Sequence, residues 1–197
     1  MGYFSQAAIF LIDLIFGLYV LAILLRFLLQ RAGADFYNPI SQLLYSLTNP
    51  ALQPLRRLVP AVGGIDWATI VLLFLVQGAE LSLIAWLGSG HLLPLPGLLI
   101  LTLASLLKLA IYIYIFLLII QVVISWINPG AYNPITGLMY QVTEPLLRPA
   151  RRLVPPAGGF DWSVLVVLVC LQLALILLVS PIEDLGYRLS SSMPQIL

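Results

Sequence analysis

The sequence predicts an all-α membrane protein with four transmembrane helices. They form two parallel two-helix repeats, each with a cytoplasmic interfacial helical hairpin between its spans. Three observations carry this. The 197 residues are 61% hydrophobic and 9% charged, with a mean hydropathy of +1.07, whereas an ordinary soluble domain carries about 25% charged residues. Four stretches are apolar over the roughly 20 residues that a spanning helix needs. The two long polar segments between spans are copies of one another at a constant offset of 95 residues, the mark of a duplicated structural unit.

The first span is Ile9–Leu29, followed by the polar, Pro-rich stretch Gln30–Asp66. The second is Trp67–Leu87. A short connection, Gly88–Gly97, carries Pro94 and Pro96 and leads to the third span, Leu98–Ile124. Another polar stretch, Trp126–Asp161, precedes the fourth span, Trp162–Val179, which is the shortest. The organisation is thus a first repeat over residues 1–87, an external connection at 88–97, a second repeat at 98–180 and a C-terminal tail at 181–197. With two spans per unit, both units enter from the same side. Many transporters are built instead from inverted repeats.

The polar segments repeat in detail. Tyr37-Asn38-Pro39-Ile40 recurs as Tyr132-Asn133-Pro134-Ile135, and Arg56-Arg57-Leu58-Val59-Pro60 as Arg151-Arg152-Leu153-Val154-Pro155. Gly63-Gly64-Ile65-Asp66-Trp67 recurs as Gly158-Gly159-Phe160-Asp161-Trp162, and 19 of the 31 positions from Tyr37 to Trp67 equal their mates. Ile40, Leu43, Leu44 and Leu47, and Ile135, Leu138, Met139 and Val142, have the i, i+3, i+4, i+7 spacing of an amphipathic helix. Asn38-Pro39 and Asn133-Pro134 are natural starts, with Asn as N-cap and Pro at the first helical position. Thr48-Asn49-Pro50 and Thr143-Glu144-Pro145 read as breaks, so a second short helical piece is expected to carry the paired arginines. Each hairpin is expected to lie on the membrane surface.

Three readings of the arginines Arg56, Arg57, Arg148, Arg151 and Arg152 stand side by side. They anchor the loop inside and touch phospholipid phosphates. Or one of each pair bonds Asp66 or Asp161 and closes the hairpin onto the next span. Or they bind an anionic headgroup, an ion or a partner protein. Asp66 and Asp161 stand at N-cap positions, Gly63, Gly64, Gly158 and Gly159 permit positive φ at the turn, and Trp67 and Trp162 suit the interface.

Charges inside apolar runs cost about 2.5–3.5 kcal/mol each at a helix centre. They usually face protein or water beside a partner. Asp13 and Lys108 are repeat mates of opposite charge, and Glu80 falls within about 5 Å of the depth of Lys108 at 1.5 Å per residue. A Lys108 flanked by Asp13 and Glu80 is therefore expected. It either locks the halves together or, with Gln77 and Gln172 as further polar lining, marks an ion or proton path.

What the composition lacks narrows the function. Nine Lys+Arg against eight Asp+Glu leave a net charge of +1, which is no nucleic-acid footprint. One cysteine, Cys170, and one histidine, His91, cannot build a disulfide, a thiolate cluster or a histidine metal site within the chain. No phosphate-binding glycine motif is present. No cofactor, metal or enzymatic activity is expected.

The repeated Tyr-Asn-Pro-Ile, Arg-Arg-Leu-Val-Pro and Gly-Gly-x-Asp-Trp motifs, quoted above with their numbers, resemble those of the YggT family, also called YlmG. Both copies are full, and the likeness weakens only from Pro181. The resemblance implies a two-unit protein of the bacterial inner membrane. It links the family to tolerance of osmotic and extracytoplasmic stress, through potassium or other cation uptake, and in plastids and cyanobacteria to nucleoid distribution, division and cytochrome b6 haem maturation. It supplies no catalytic residue to carry over. Two functions follow as expectations: a scaffold or auxiliary subunit whose hairpins hold phospholipid, a membrane protein partner or a second copy, and a channel or transporter-like protein for potassium or other cations.

Lys and Arg favour the cytoplasmic side of short loops. The two polar segments hold Arg31, Arg56, Arg57, Arg148, Arg151 and Arg152, and the 88–97 connection holds none. The arginine-rich segments are therefore expected in the cytoplasm, with both termini and His91 outside. A reporter enzyme fused after Leu197 is expected to be active only on the outer side of the membrane, and cytoplasmic activity would reverse the orientation.

Overall fold

In the computed structural model, residues 2–34, 37–127, 133–154 and 161–191 are described. The order is α1 (Tyr3–Arg31), α2 (Pro39–Leu58), α3 (Trp67–Ser89), α4 (Leu95–Ile127), α5 (Pro134–Leu153) and α6 (Trp162–Ala174), then a π-helical turn at Leu175–Val179 and α7 (Ser180–Ser191). Four helical stretches are long and apolar enough to cross a membrane: α1, α3, α4 and the run Trp162–Ser191. They stand in a row. α1 packs on α3, α3 on α4, and α4 on the α6–α7 run, while α2 lies against α1 and α3 and α5 against α4 and α6.

The expected hairpins are single helices. α2 and α5 each run unbroken for 20 residues through two prolines, Pro50 and Pro54 in one and Pro145 and Pro149 in the other. An interior proline removes one amide donor and crowds the carbonyl four residues earlier. A spacing of four keeps each pair on one side, and all four prolines are exposed. The bonds they cost are lost on the face turned away from the bundle, so the buried face continues without a break. Asparagine capping starts both helices: Asn38 accepts from the Ile40 amide at 3.0 Å, and Asn133 from those of Ile135 and Thr136, both at 2.9 Å.

The fourth span also corrects the sequence reading. Pro181 does not end it. The helix widens into the π turn, the Ser180 hydroxyl donates to the Leu175 carbonyl at 3.1 Å, and the chain stays helical to Ser191. A π turn is a usual way to take up such a mismatch. The segment read as a tail from Pro181 therefore continues the span as far as Ser191. It runs back along α4, where Gly97 meets Ser190 and Gly186 meets Leu101.

One core joins the repeats. Val20, Ile23, Leu24, Leu72, Leu106 and Ile113 of the spans are packed with Leu44 and Leu52 of α2 and with Leu138 and Val142 of α5. The N-termini of the amphipathic helices also meet, where the Asn38 side chain donates to the Pro134 carbonyl at 2.7 Å.

A Cβ on Gly97 would stand 2.2 Å from the Ser190 hydroxyl and 2.9 Å from its backbone nitrogen, whereas one on Gly17 would meet nothing within 4 Å. Overpacking costs about 1–3 kcal/mol. Gly97→Val is expected to lower the melting temperature of the detergent-solubilised protein, and Gly17→Val to leave it close to wild type.

Candidate functional site: the clamped amphipathic helices

Each amphipathic helix is fastened at two points, at matching positions in the two repeats. The first lies mid-helix. Arg26 of α1, only 7% exposed, donates to the Thr48 hydroxyl at 2.6 Å, and its repeat mate Gln121 of α4 donates to Thr143 at 2.8 Å. Each threonine in turn bonds back to its own helix, to the Leu44 and Met139 carbonyls. The Arg26 guanidinium also lies 4.5 Å from the centre of the Tyr45 ring, a cation–π distance.

The second point is the corner between the amphipathic helix and the next span. Arg56 bonds Asp66, and Arg151 bonds Asp161 at 2.9 Å. The aspartates cap the spans they precede, with Asp66 accepting from the Thr69 amide and hydroxyl and Asp161 from those of Ser163. In the first repeat the chain turns this corner through Gly63 and Gly64, at φ of 64° and 75° between the paired residues Val62 and Ile65. A two-residue turn with positive φ at both positions suits glycine. Gly158 and Gly159 lie outside the described residues. Trp67 and Trp162 open their helices half-exposed.

Burial opposes ionisation of both aspartates. The Arg56 and Thr69 bonds nevertheless hold the Asp66 carboxyl below the usual carboxylate value, and Ser163 and Arg151 do the same for Asp161. Arg151 is likewise opposed by burial, yet Asp161 and Glu144 raise its pKa above the ordinary value. Within each arginine pair the first member turns inward. Arg57 and Arg152 are exposed, and so is Arg148, whose Nε lies 3.7 Å from Glu144.

The expected intramembrane cluster is divided. Glu80 is buried, accepts from Gln77 at 3.1 Å and lies beside Asp13, which is exposed. Lys108 is not with them: its ammonium bonds Glu183 of α7 at 2.9 Å. A helical side chain leans toward the N-terminus of its helix, so Lys108 reaches back to the level where antiparallel α7 brings Glu183, a partner supplied by the continued fourth span. Gln172, the mate of Gln77, is exposed, because α3 has a span on either side while α6 has only α4. Among the described residues no three His, Cys, Asp or Glu side chains come together as a metal cage.

Sequence reasoning missed Arg26–Thr48 and Gln121–Thr143. Their signal was present: a long polar side chain near the end of a span, and a threonine on the apolar stripe, each at the 95-residue offset.

Fold and site define a polytopic helical membrane protein made of two clamped span–helix–span units. The CCB3/YggT family model matches residues 5–87 and 100–182, which are these two units, and the chain belongs to that family. It is 42% identical over 170 residues to an uncharacterized protein of Pseudomonas aeruginosa, covering 86% of each chain. It is 38% identical over 181 residues to an uncharacterized protein from the proC 3′ region of Vibrio alginolyticus (91% of this chain, 97% of the relative). It is 35% identical over 162 residues to uncharacterized protein YggT of Escherichia coli K12 (82% and 84%). No solved structure matches the chain.

The Asp66 side chain is 4% exposed and that of Asp161 29%. A hydrogen bond to a charged group is worth about 1.5–3 kcal/mol, with the larger loss where water cannot substitute. Asp66→Asn is expected to destabilise the protein more than Asp161→Asn in thermal melts. A carboxyl whose folded pKa is depressed contributes stability that is complete above its unfolded value, about 3.9, and lost as pH falls through the folded value. Wild type is therefore expected to lose stability below about pH 4, and Asp66→Asn to show a flatter acid limb.

Proposed function

We propose that the chain is a membrane scaffold or auxiliary subunit, without catalysis of its own, that supports osmotic and extracytoplasmic stress tolerance at the bacterial inner membrane. A difference between the repeats carries the reading. On α5, Leu138 and Val142 are 6% and 3% exposed, because that stripe packs into the core shared with α1. Their mates on α2, Leu43 and Leu47, are 57% and 53% exposed. A stripe that docks one repeat onto the other is thus left open on the first repeat. It suits a partner membrane protein or a second copy of this chain, with phospholipid around it.

Leu43→Lys combined with Leu47→Lys is expected to release a stoichiometric partner, or to abolish self-association, in affinity purification from mild detergent while the melting temperature holds. Retained assembly would reject the docking face. Cation flux into liposomes holding only the purified chain would reject the auxiliary reading in favour of a channel. If Lys108→Met abolished that flux in a protein that still assembled, the ion path would include the α4–α7 contact.

A further inference from the structure

Between the end of α1 and the face of α2 lies a cavity of about 310 Å³, lined by Arg26, Leu29, Ser41, Leu44, Tyr45 and Arg56. It falls at the lower end of the ~300–1,000 Å³ usual for small-ligand pockets. Its polar groups converge unusually. Arg26 is buried, with Thr48 as its hydrogen-bond partner and no carboxylate within ion-pairing distance among the described residues. Arg56 bonds Asp66 and is about one-third exposed. The Ser41 hydroxyl is shielded from solvent and has no hydrogen-bond partner. A buried polar atom without a partner is costly, and a solvent or ligand group satisfies it when the site is filled.

The second repeat shows how the same scaffold looks when its charges are balanced within the chain. Gln121 stands where Arg26 does, so among the described residues no second buried cation stands there. Thr136 stands where Ser41 does and is occupied, because it completes the capping box with Asn133. In the first repeat Asn38 caps Ile40 and also donates to the Pro134 carbonyl, while Ser41 takes part in no such box. Glu144 stands where Asn49 does and bonds Arg151, which already holds Asp161. Around the first cavity two guanidinium groups face one carboxylate, whereas at its counterpart one inward guanidinium faces two. The first repeat lacks one negative charge and one acceptor for a hydroxyl.

We propose that the cavity of the first repeat binds a phosphate oxyanion, held by the Arg26 and Arg56 guanidinium groups and the Ser41 hydroxyl. Arginine suits this ligand through its planar fork of donors. The apolar walls from Leu29 and Leu44, with the cavity near the end of a spanning helix, fit the phosphate of a phospholipid headgroup. Free phosphate shares the same recognition chemistry. The proposal goes beyond the scaffold reading, which rests on the outward stripe of α2, and either can fail without the other.

The test is native mass spectrometry of the full-length protein released from detergent, titrated separately with phosphatidylglycerol, diacylglycerol and inorganic phosphate. Arg26→Gln installs the residue the second repeat uses, so the bond to Thr48 is kept. It is expected to weaken phosphatidylglycerol binding about tenfold or more, given the worth of a bond to a charged group. Arg188→Gln removes an exposed charge from α7, in the other half of the chain, and is expected to leave binding unchanged. Diacylglycerol, which has no phosphate, should not be retained. If inorganic phosphate binds alone and its binding falls equally in Arg26→Gln, the source is the free anion. If only phosphatidylglycerol binds, it is the lipid. Equal binding by wild type and Arg26→Gln, or an equal loss in Arg188→Gln, overturns the proposal. Should Arg26→Gln not fold, Ser41→Ala decides, since that hydroxyl holds nothing in the fold: weaker phosphate binding supports the site and unchanged binding overturns it.

Discussion

An amphipathic helix set between two spans has no fixed position unless something holds it, because its apolar face can slide along a lipid surface as readily as along protein. In each repeat the constraint is the ion pair at the corner, Arg56 with Asp66 and Arg151 with Asp161. The arginine ends one helix and the aspartate caps the next, so a single pair sets the angle between a surface helix and a spanning helix. Its placement at the N-terminus of the span also puts a negative charge at the positive end of that helix. With the corner held, the helix has one remaining freedom, rotation about its own axis. The bond to Thr48 or Thr143 removes it.

Much of this was legible in the sequence, and for a physical reason. A bilayer imposes a length on every span, and duplication prints each structural need twice. The four spans, the asparagine caps, the glycine turn and the arginine–aspartate pairing all follow from motifs that recur at one offset. The errors fall where a local signal was overruled by its surroundings. Pro50 and Pro145, each followed four residues on by a second proline (Pro54 and Pro149), read as breaks because a proline does break an isolated helix. Here all four face outward, and burial of Leu52 and Leu147 on the opposite face carries the helix through. Pro181 reads as an end for the same reason and is absorbed by a π turn. The partner of Lys108 was missed as a consequence, since Glu183 lay in a segment assigned to the tail.

The repeats share a frame and differ in what they leave open. At several positions the second repeat covers or pairs what the first leaves open, although Gln172 and Asp161 are more exposed than their mates Gln77 and Asp66. Leu138 and Val142 are covered where Leu43 and Leu47 are bare. Glu144 neutralises where Asn49 does not. Thr136 is capped where Ser41 has no partner. A duplicated protein under purely structural demands has no need for such one-sided differences. On the proposed scaffold reading, the second repeat supplies support and the first supplies the surface.

The few charges placed within the spans belong to the same division. Lys108 and Glu183 tie α4 to α7 inside the second half of the chain, at the closely packed contact where Gly97 and Gly186 let the helices approach. That pair is part of the supporting frame. Glu80 is held by Gln77 but also lies against Asp13 of α1, in the half that carries the open stripe and the arginine cavity. The two carboxyls stand side by side in a spanning region without a basic side chain bonded to either among the described residues, where acidic groups usually face protein or water. Asp13 is exposed on the outer surface of α1, so this pair opens on the first repeat as well.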